Sequence, residues 1–191
     1  MQRVSRALEQ FFAYVRDERG LSILDLGGVN QENVSYITNL GHKLYSTDYL
    51  RNLDATLKTV TSPETLHPAE MEGFLQQILD YPDDFFDGVL MWDALTFAEA
   101  RLANATVERL SRIVKPRSYL LALFHAPERS QSVPVYSFRI QGPSTLLVAA
   151  RGEAKPAQVF NNRNVEKLFQ SFESVKFFLT RDSLREVIVR R

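Results

Sequence analysis

The sequence predicts an α/β fold with a mostly parallel sheet, an antiparallel C-terminal strand and helices on both faces. Three observations carry this. Leu21-Ser-Ile-Leu-Asp-Leu-Gly-Gly-Val29 is an apolar strand running into a paired-glycine turn. Residues 21–48 read as strand, helix, strand, a βαβ unit whose right-handed crossover implies a parallel sheet with its ligand site at the strands' C-terminal ends. Strand and helix then alternate again from residue 88 to 124.

Each element has its own signal. Val4, Leu8, Phe11, Phe12 and Val15 fall at helical spacing, predicting an amphipathic N-terminal helix over 2–19 that Gly20 ends. Leu21–Leu26 is apolar without alternation, as a strand buried on both faces must be. Asn33 can cap the next helix, whose apolar positions are Val34, Ile37 and Leu40. Gly41 closes that helix, and Lys43–Thr47 leads as a second strand to Asp48. Residues 50–80 are the least regular: Met71, Phe74, Leu75, Ile78 and Leu79 repeat with a helix's period where a third strand is expected, so that strand is short, displaced or missing.

Beyond a turn rich in Pro and Asp, Gly88–Trp92 reads as a strand, 98–114 as a helix and Tyr119–Phe124 as a strand. Val133–Ile140 and Thr145–Ala150, joined through Gly142-Pro143, predict a hairpin inserted within 127–160, a place where insertions shape binding pockets. A helix around Asn164–Phe172 precedes two strands, Val175–Thr180 and Leu184–Arg190, close enough to pair as an antiparallel hairpin across 181–183.

With 191 residues, 45 % of them hydrophobic, and no internal repeat or linker, residues 1–191 are expected to form a single domain. The 23 basic and 23 acidic residues balance, and no long run of one charge occurs, so nucleic acid is not an expected partner. Cysteine is absent, which excludes disulfides and thiolate chemistry, and the three histidines lie far apart, with no metal-ligand cluster. No apolar run approaches a membrane span and no signal peptide is evident, so a soluble, cytoplasmic protein is expected, as a monomer or homodimer.

A glycine turn opening onto a helix lets backbone N–H groups face a ligand, which points to a nucleotide-like cofactor. Leu24-Asp25-Leu26-Gly27-Gly28, Gly41 to Asp48, Pro82 to Leu95 and Arg109 to Pro116, taken in order, resemble the class I S-adenosylmethionine-dependent methyltransferases over nearly the whole chain. The resemblance implies a Rossmann-like methyltransferase fold, S-adenosylmethionine as cofactor, and methyl transfer to a small molecule. It departs from the pattern at Val29 and Gln31, where glycine is usual, and at Arg117-Ser118, where a glycine pair commonly follows Lys-Pro. The acid that follows the family's third strand is not located.

By that resemblance the cofactor site comprises Asp25, Gly27, Gly28, Val29, Asn30, Asp48, Tyr49, Trp92, Asp93 and Ala94. Asp48 would accept the ribose hydroxyls, a task for an acceptor-only carboxylate, its other reading being a helix cap. Trp92 can serve the ligand or the core. Asp93 and His125 are the candidate catalytic residues, His125 as a general base at the end of the fifth strand. The N-terminal helix and the inserted hairpin would form the acceptor pocket. Two other readings stand beside this one. A catalytically silent member of the fold would bind a ligand or a partner protein, through Phe11-Phe12 or the hairpin. A nicotinamide-dependent oxidoreductase is disfavoured because G-x-G-x-x-G keeps only its first glycine in Gly27-Gly-Val29-Asn-Gln31-Glu32.

Overall fold

The computed structural model describes residues 1–60, 66–125, 132–180 and 183–191. In chain order the elements are β1 (Gln2–Val4), α1 (Arg6–Val15), β2 (Ser22–Asp25), α2 (Gln31–Asn39), β3 (Lys43–Ser46), α3 (Tyr49–Leu57), α4 (Pro68–Ile78), β4 (Phe86–Trp92), α5 (Ala100–Ile113), β5 (Val114–His125), β6 (Val133–Gly142), β7 (Thr145–Ala154), α6 (Asn162–Leu168), β8 (Ser174–Phe178) and β9 (Leu184–Arg190), with a 3-10 turn at Ala94–Phe97.

A six-stranded sheet runs in the order β3-β2-β4-β5-β9-β8. The pairs β2–β3, β2–β4 and β4–β5 are parallel, and β9 lies antiparallel between β5 and β8. The mostly parallel sheet with an antiparallel C-terminal strand is therefore present. Among the described residues no strand forms between β3 and β4: α3 and α4 fill that part of the chain, and residues 61–65 lie outside the description.

Side chains alternate across the sheet as a strand's two-residue period demands. Leu24, Val89, Met91, Leu120, Ala122, Phe124, Val187 and Val189 face a core closed by α3, α4, α5 and α6. Ile23, Leu90, Trp92, Leu121, Leu123 and Ile188 face a second core closed by α1, α2 and the inserted hairpin. Helices on both faces are thus accounted for, and each face has its own apolar cluster.

The N-terminus differs from the expected single helix. Residues 2–4 form a strand that pairs antiparallel with β7, and Ser5 caps α1 by accepting from the Leu8 N–H. The hairpin β6–β7 and β1 together make a separate three-stranded sheet, β1-β7-β6. Arg3 anchors this sheet to the large one: its guanidinium donates to Glu186 at 2.9 Å, and the other Glu186 oxygen accepts from the Ala7 N–H at 3.0 Å. Both side chains are buried, at 5 % and 1 % exposure, so loss of either would strand an uncompensated charge. Helix α1 is buried along Leu8, Phe11, Phe12 and Val15 and is part of the core. Phe11 and Phe12 consequently offer no docking surface.

Other boundaries shift locally. Asn30, not Asn33, caps α2, accepting from the Asn33 N–H at 2.8 Å. Strand β5 begins five residues earlier than its apolar run because Val114 already pairs with Phe86; the register then breaks, and Arg117 takes a left-handed φ of 67° where the resemblance leads one to expect glycine. The turn at 181–182 and the loop at 126–131 lie outside the description.

Candidate functional site

The C-terminal ends of β2 and β3 meet at one corner of the sheet. Thr47 N–H donates to the Asp25 carbonyl, Gly28 N–H to the Thr47 carbonyl and Tyr49 N–H to the Leu26 carbonyl, so the glycine turn and the start of α3 are laced together. Gly28 has φ 86°, and a Cβ there would lie 3.0 Å from Asp48. Glycine is needed at this position on both counts.

Asp25 lies fully inside the protein. One carboxylate oxygen accepts from the Trp92 indole N–H at 2.7 Å and the Gly27 N–H at 2.8 Å, and the other accepts from Asn33 Nδ2 at 2.9 Å. Asn33 continues the network into the hairpin, donating to the Phe138 carbonyl at 3.2 Å and accepting from the Ile140 N–H at 2.8 Å. Burial pushes the Asp25 carboxyl above its ordinary range; the hydrogen bonds from Asn33, Trp92 and Gly27 pull the other way, and the charge of Asp48 adds to the rise. Asp25 is the hub that fastens the small sheet to the large one, and it does not face open space.

Trp92 reaches Asp25 because the end of β4 is bent. The pairing with β5 skips Met91, and Trp92 takes a left-handed φ of 53°. Its indole then stacks on Phe138, with centroids 5.0 Å apart and rings 6° from parallel. The same indole covers Gly27: a Cβ there would meet Trp92 Cδ1 at 2.7 Å. Glycine at 27 makes room for the protein's own tryptophan.

Outside this network an open cleft of about 890 Å³ lies between the glycine turn, the end of β3, α3 and the hairpin. Of the residues expected at the site, Gly27, Gly28, Val29, Asn30 and Asp48 line it. Val29 is 79 % exposed at its mouth, so its side chain does not crowd the interior. Asp48 combines both of its sequence readings: one oxygen caps α3 by accepting from the Arg51 N–H at 3.0 Å, while the other pairs with Arg151 at 3.2 Å inside the cleft.

Four expected contacts lie elsewhere. Tyr49 is buried on the other face of the sheet, its hydroxyl 2.8 Å from that of Thr106, and burial drives its phenol pKa up. Ala94 belongs to that same core. Asp93 and His125 form a buried pair, Oδ2 to Nε2 at 3.2 Å, at the ends of β4 and β5. The His125 ring stacks on Tyr136 of β6, with centroids 5.7 Å apart, and neither member of the pair lines the cleft.

Sequence reasoning missed the cleft's other wall. Arg51, Asn52 and Ala55 come from α3, and Arg139, Ala149 and Arg151 from the hairpin. The available signal was one arginine in each hairpin strand, Arg139 in β6 and Arg151 in β7. A second cavity of about 670 Å³ adjoins the first and shares Asp48, Arg51 and Arg151 with it.

No family profile matches the sequence, and no curated protein matches it significantly. Solved structures do match. The 1,6-didemethyltoxoflavin-N1-methyltransferase of Burkholderia thailandensis, solved with 1,6-didemethyltoxoflavin and S-adenosylhomocysteine, is 12 % identical over 96 % of this chain and 74 % of its own, with a TM-score of 0.51. A SAM-dependent methyltransferase of Methanosarcina mazei is 12 % identical over 94 % of this chain and 95 % of its own, at 0.53. A protein of Pyrococcus horikoshii is 14 % identical over 96 % and 88 %, at 0.57. At such identities the likeness is one of architecture: the chain has the Rossmann-like fold of the class I S-adenosylmethionine-dependent methyltransferases, joined by a three-stranded sheet.

Proposed function

We propose that the cleft beside Gly28 and Asp48 binds S-adenosylmethionine and that the protein transfers its methyl group to a small-molecule acceptor. The observation that carries this reading is the placement of Gly27, Gly28, Asn30 and Asp48 around one open cavity at the C-terminal ends of parallel strands, in a fold shared with methyltransferases. Its volume of about 890 Å³ is in the range of small-ligand pockets. Asp48 is the ribose acceptor, and the Gly28–Asn30 backbone at the start of α2 approaches the cofactor. The sulfonium supplies the electrophilic methyl group.

This chain's residues contribute positioning. Methyl transfer is an in-line displacement, for which alignment and exclusion of water go far without a dedicated base. Arg151 holds Asp48 before a ligand arrives and must yield that oxygen to a ribose. Asp93 and His125, set beneath the hairpin, act on the acceptor only if Tyr136 moves aside.

A second reading, a silent member of the fold, is favoured by one observation: the Trp92 indole covers Gly27 and is hydrogen-bonded to Asp25, two positions the resemblance assigns to cofactor. Calorimetric titration with S-adenosylmethionine and S-adenosylhomocysteine, with NADH as control, separates the readings. Saturable one-site binding of the sulfur compounds supports the enzyme. A folded sample that binds neither supports the silent protein, and tight binding of NADH alone supports an oxidoreductase.

A further inference from the structure

We infer that the arginine wall of this cleft is a subsite for an anionic oxyacid group, a phosphate or carboxylate, carried by the methyl acceptor; its assignment to the acceptor rests on the cofactor reading above. Three separate elements bring guanidinium groups to one cavity: Arg51 from the first turn of α3, Arg139 from β6 and Arg151 from β7. A planar guanidinium matches a carboxylate or phosphate with two parallel hydrogen bonds.

The local fold aims one of them. Tyr136 pairs with Ala150 and Val135 with Gly152, so Arg151 is the extra residue of a β-bulge with no partner across the hairpin. Bulges of this kind re-aim a side chain and recur beside active sites. Here the side chain enters the cleft and meets Asp48 at 3.2 Å.

The charges facing one another leave a cation over. Asp48 is matched by Arg151, and Glu32 by Arg139 at 3.2 Å. On the adjoining cavity Asp54 is matched by Lys58 at 2.6 Å, and Glu153 and Lys155 add one charge of each sign. Among the described residues the Arg51 guanidinium has no carboxylate partner, although Asp48 sits three residues away and accepts only its backbone N–H. When a ribose takes Asp48, the Arg151 guanidinium is released beside Arg51. Both arginines line both cavities, so they stand at the boundary between the cofactor's cavity and the one left for the acceptor.

The test is calorimetric titration of inorganic pyrophosphate into the wild type and Arg51→Ala, at low salt, with and without saturating S-adenosylhomocysteine. S-adenosylhomocysteine and 5′-methylthioadenosine, which lacks the amino-acid carboxylate, are titrated into both proteins in turn. The expected result is saturable pyrophosphate binding that S-adenosylhomocysteine leaves intact and that Arg51→Ala weakens about tenfold or more, as loss of a charge-assisted contact should, with both nucleoside affinities unchanged. Arg51 is exposed, so the variant folds, which circular dichroism verifies. Pyrophosphate binding that fails to saturate, or that ignores the substitution, overturns the subsite. Loss of S-adenosylhomocysteine affinity in Arg51→Ala with 5′-methylthioadenosine unaffected also overturns it, by assigning the arginine to the cofactor's carboxylate. Pyrophosphate binding that depends on Arg51 in a wild type deaf to S-adenosylhomocysteine upholds the anion subsite and removes the cofactor reading alone.

Discussion

Asp25 and Asp48 close neighbouring parallel strands, yet one is a structural hub and the other a cleft residue. Asp25 lies under the hairpin, with Trp92, Gly27 and Asn33 donating to it. Asp48, two residues past the end of β3, lies beyond the hairpin's cover, shares its carboxylate between a helix cap and Arg151, and keeps open space beside it. The same side chain at equivalent strand ends takes opposite duties according to what covers it. A buried carboxylate must be satisfied by fixed donors, whereas a half-exposed one can exchange partners.

Trp92→Ala should break this contrast most severely. It removes a buried ring and the donor to Asp25 and breaks the stack on Phe138, so a loss of about 3–5 kcal/mol in urea unfolding is expected. A loss below 1 kcal/mol would mean that the indole only fills space that other groups readily reclaim.

Asp25→Asn sharpens the contrast through pH. Because burial raises the folded carboxyl above its ordinary value of 3.8, the native state binds the extra proton. Stability from this group is fully present below that value and is lost as pH rises through the raised one. The wild type should therefore gain stability relative to the variant as pH falls through this window. Parallel profiles for the two proteins, followed by chemical denaturation at each pH, would contradict the burial account.

On the open side, Arg151→Ala should scarcely alter stability, by less than about 1 kcal/mol, since the pair is 38 % and 21 % exposed and solvent screens it. The same change frees Asp48 and should tighten S-adenosylhomocysteine several-fold in a calorimetric titration. Unaltered affinity would show that the ion pair does not compete with the ligand. The smallest effect is remote from both aspartates: Arg117→Gly relieves a left-handed φ and should raise the melting temperature, by up to about 1 kcal/mol in stability. A fall would mean that contacts of the arginine outweigh its backbone strain.

Much of the architecture was legible because it rests on apolar periodicity. The runs Leu21–Leu26 and Tyr119–Phe124 contain β2 and the buried part of β5, and α5 follows the spacing of Leu102, Val107 and Leu110. Strand β1 was not legible: three residues with an exposed Val4 carry no pattern of their own and become a strand only by pairing with β7. The cap of α2 moved from Asn33 to Asn30 because both are good caps, and only the fold shows that Asn33 is claimed by Asp25 and β6.

The lining of the cleft was legible in part. The glycine turn and Asp48 follow from local sequence and do line the cleft, whereas the direction of Trp92 depends on a bulge at Met91 and a left-handed backbone that no local rule demands. Arg151 depends likewise on a bulge in β7. Irregularities of strand pairing, set by tertiary packing, placed the residues that sequence alone misplaced or missed.

The central claim is that the cleft between Gly28 and Asp48 is a nucleoside site, and titration of S-adenosylhomocysteine into the wild type and Gly28→Val tests it most directly. The account predicts saturable one-site binding by the wild type and none by the folded variant, whose added side chain must meet Asp48 at a left-handed φ. A folded wild type that gives no heat of binding, or a variant that binds as tightly as the wild type, would contradict it.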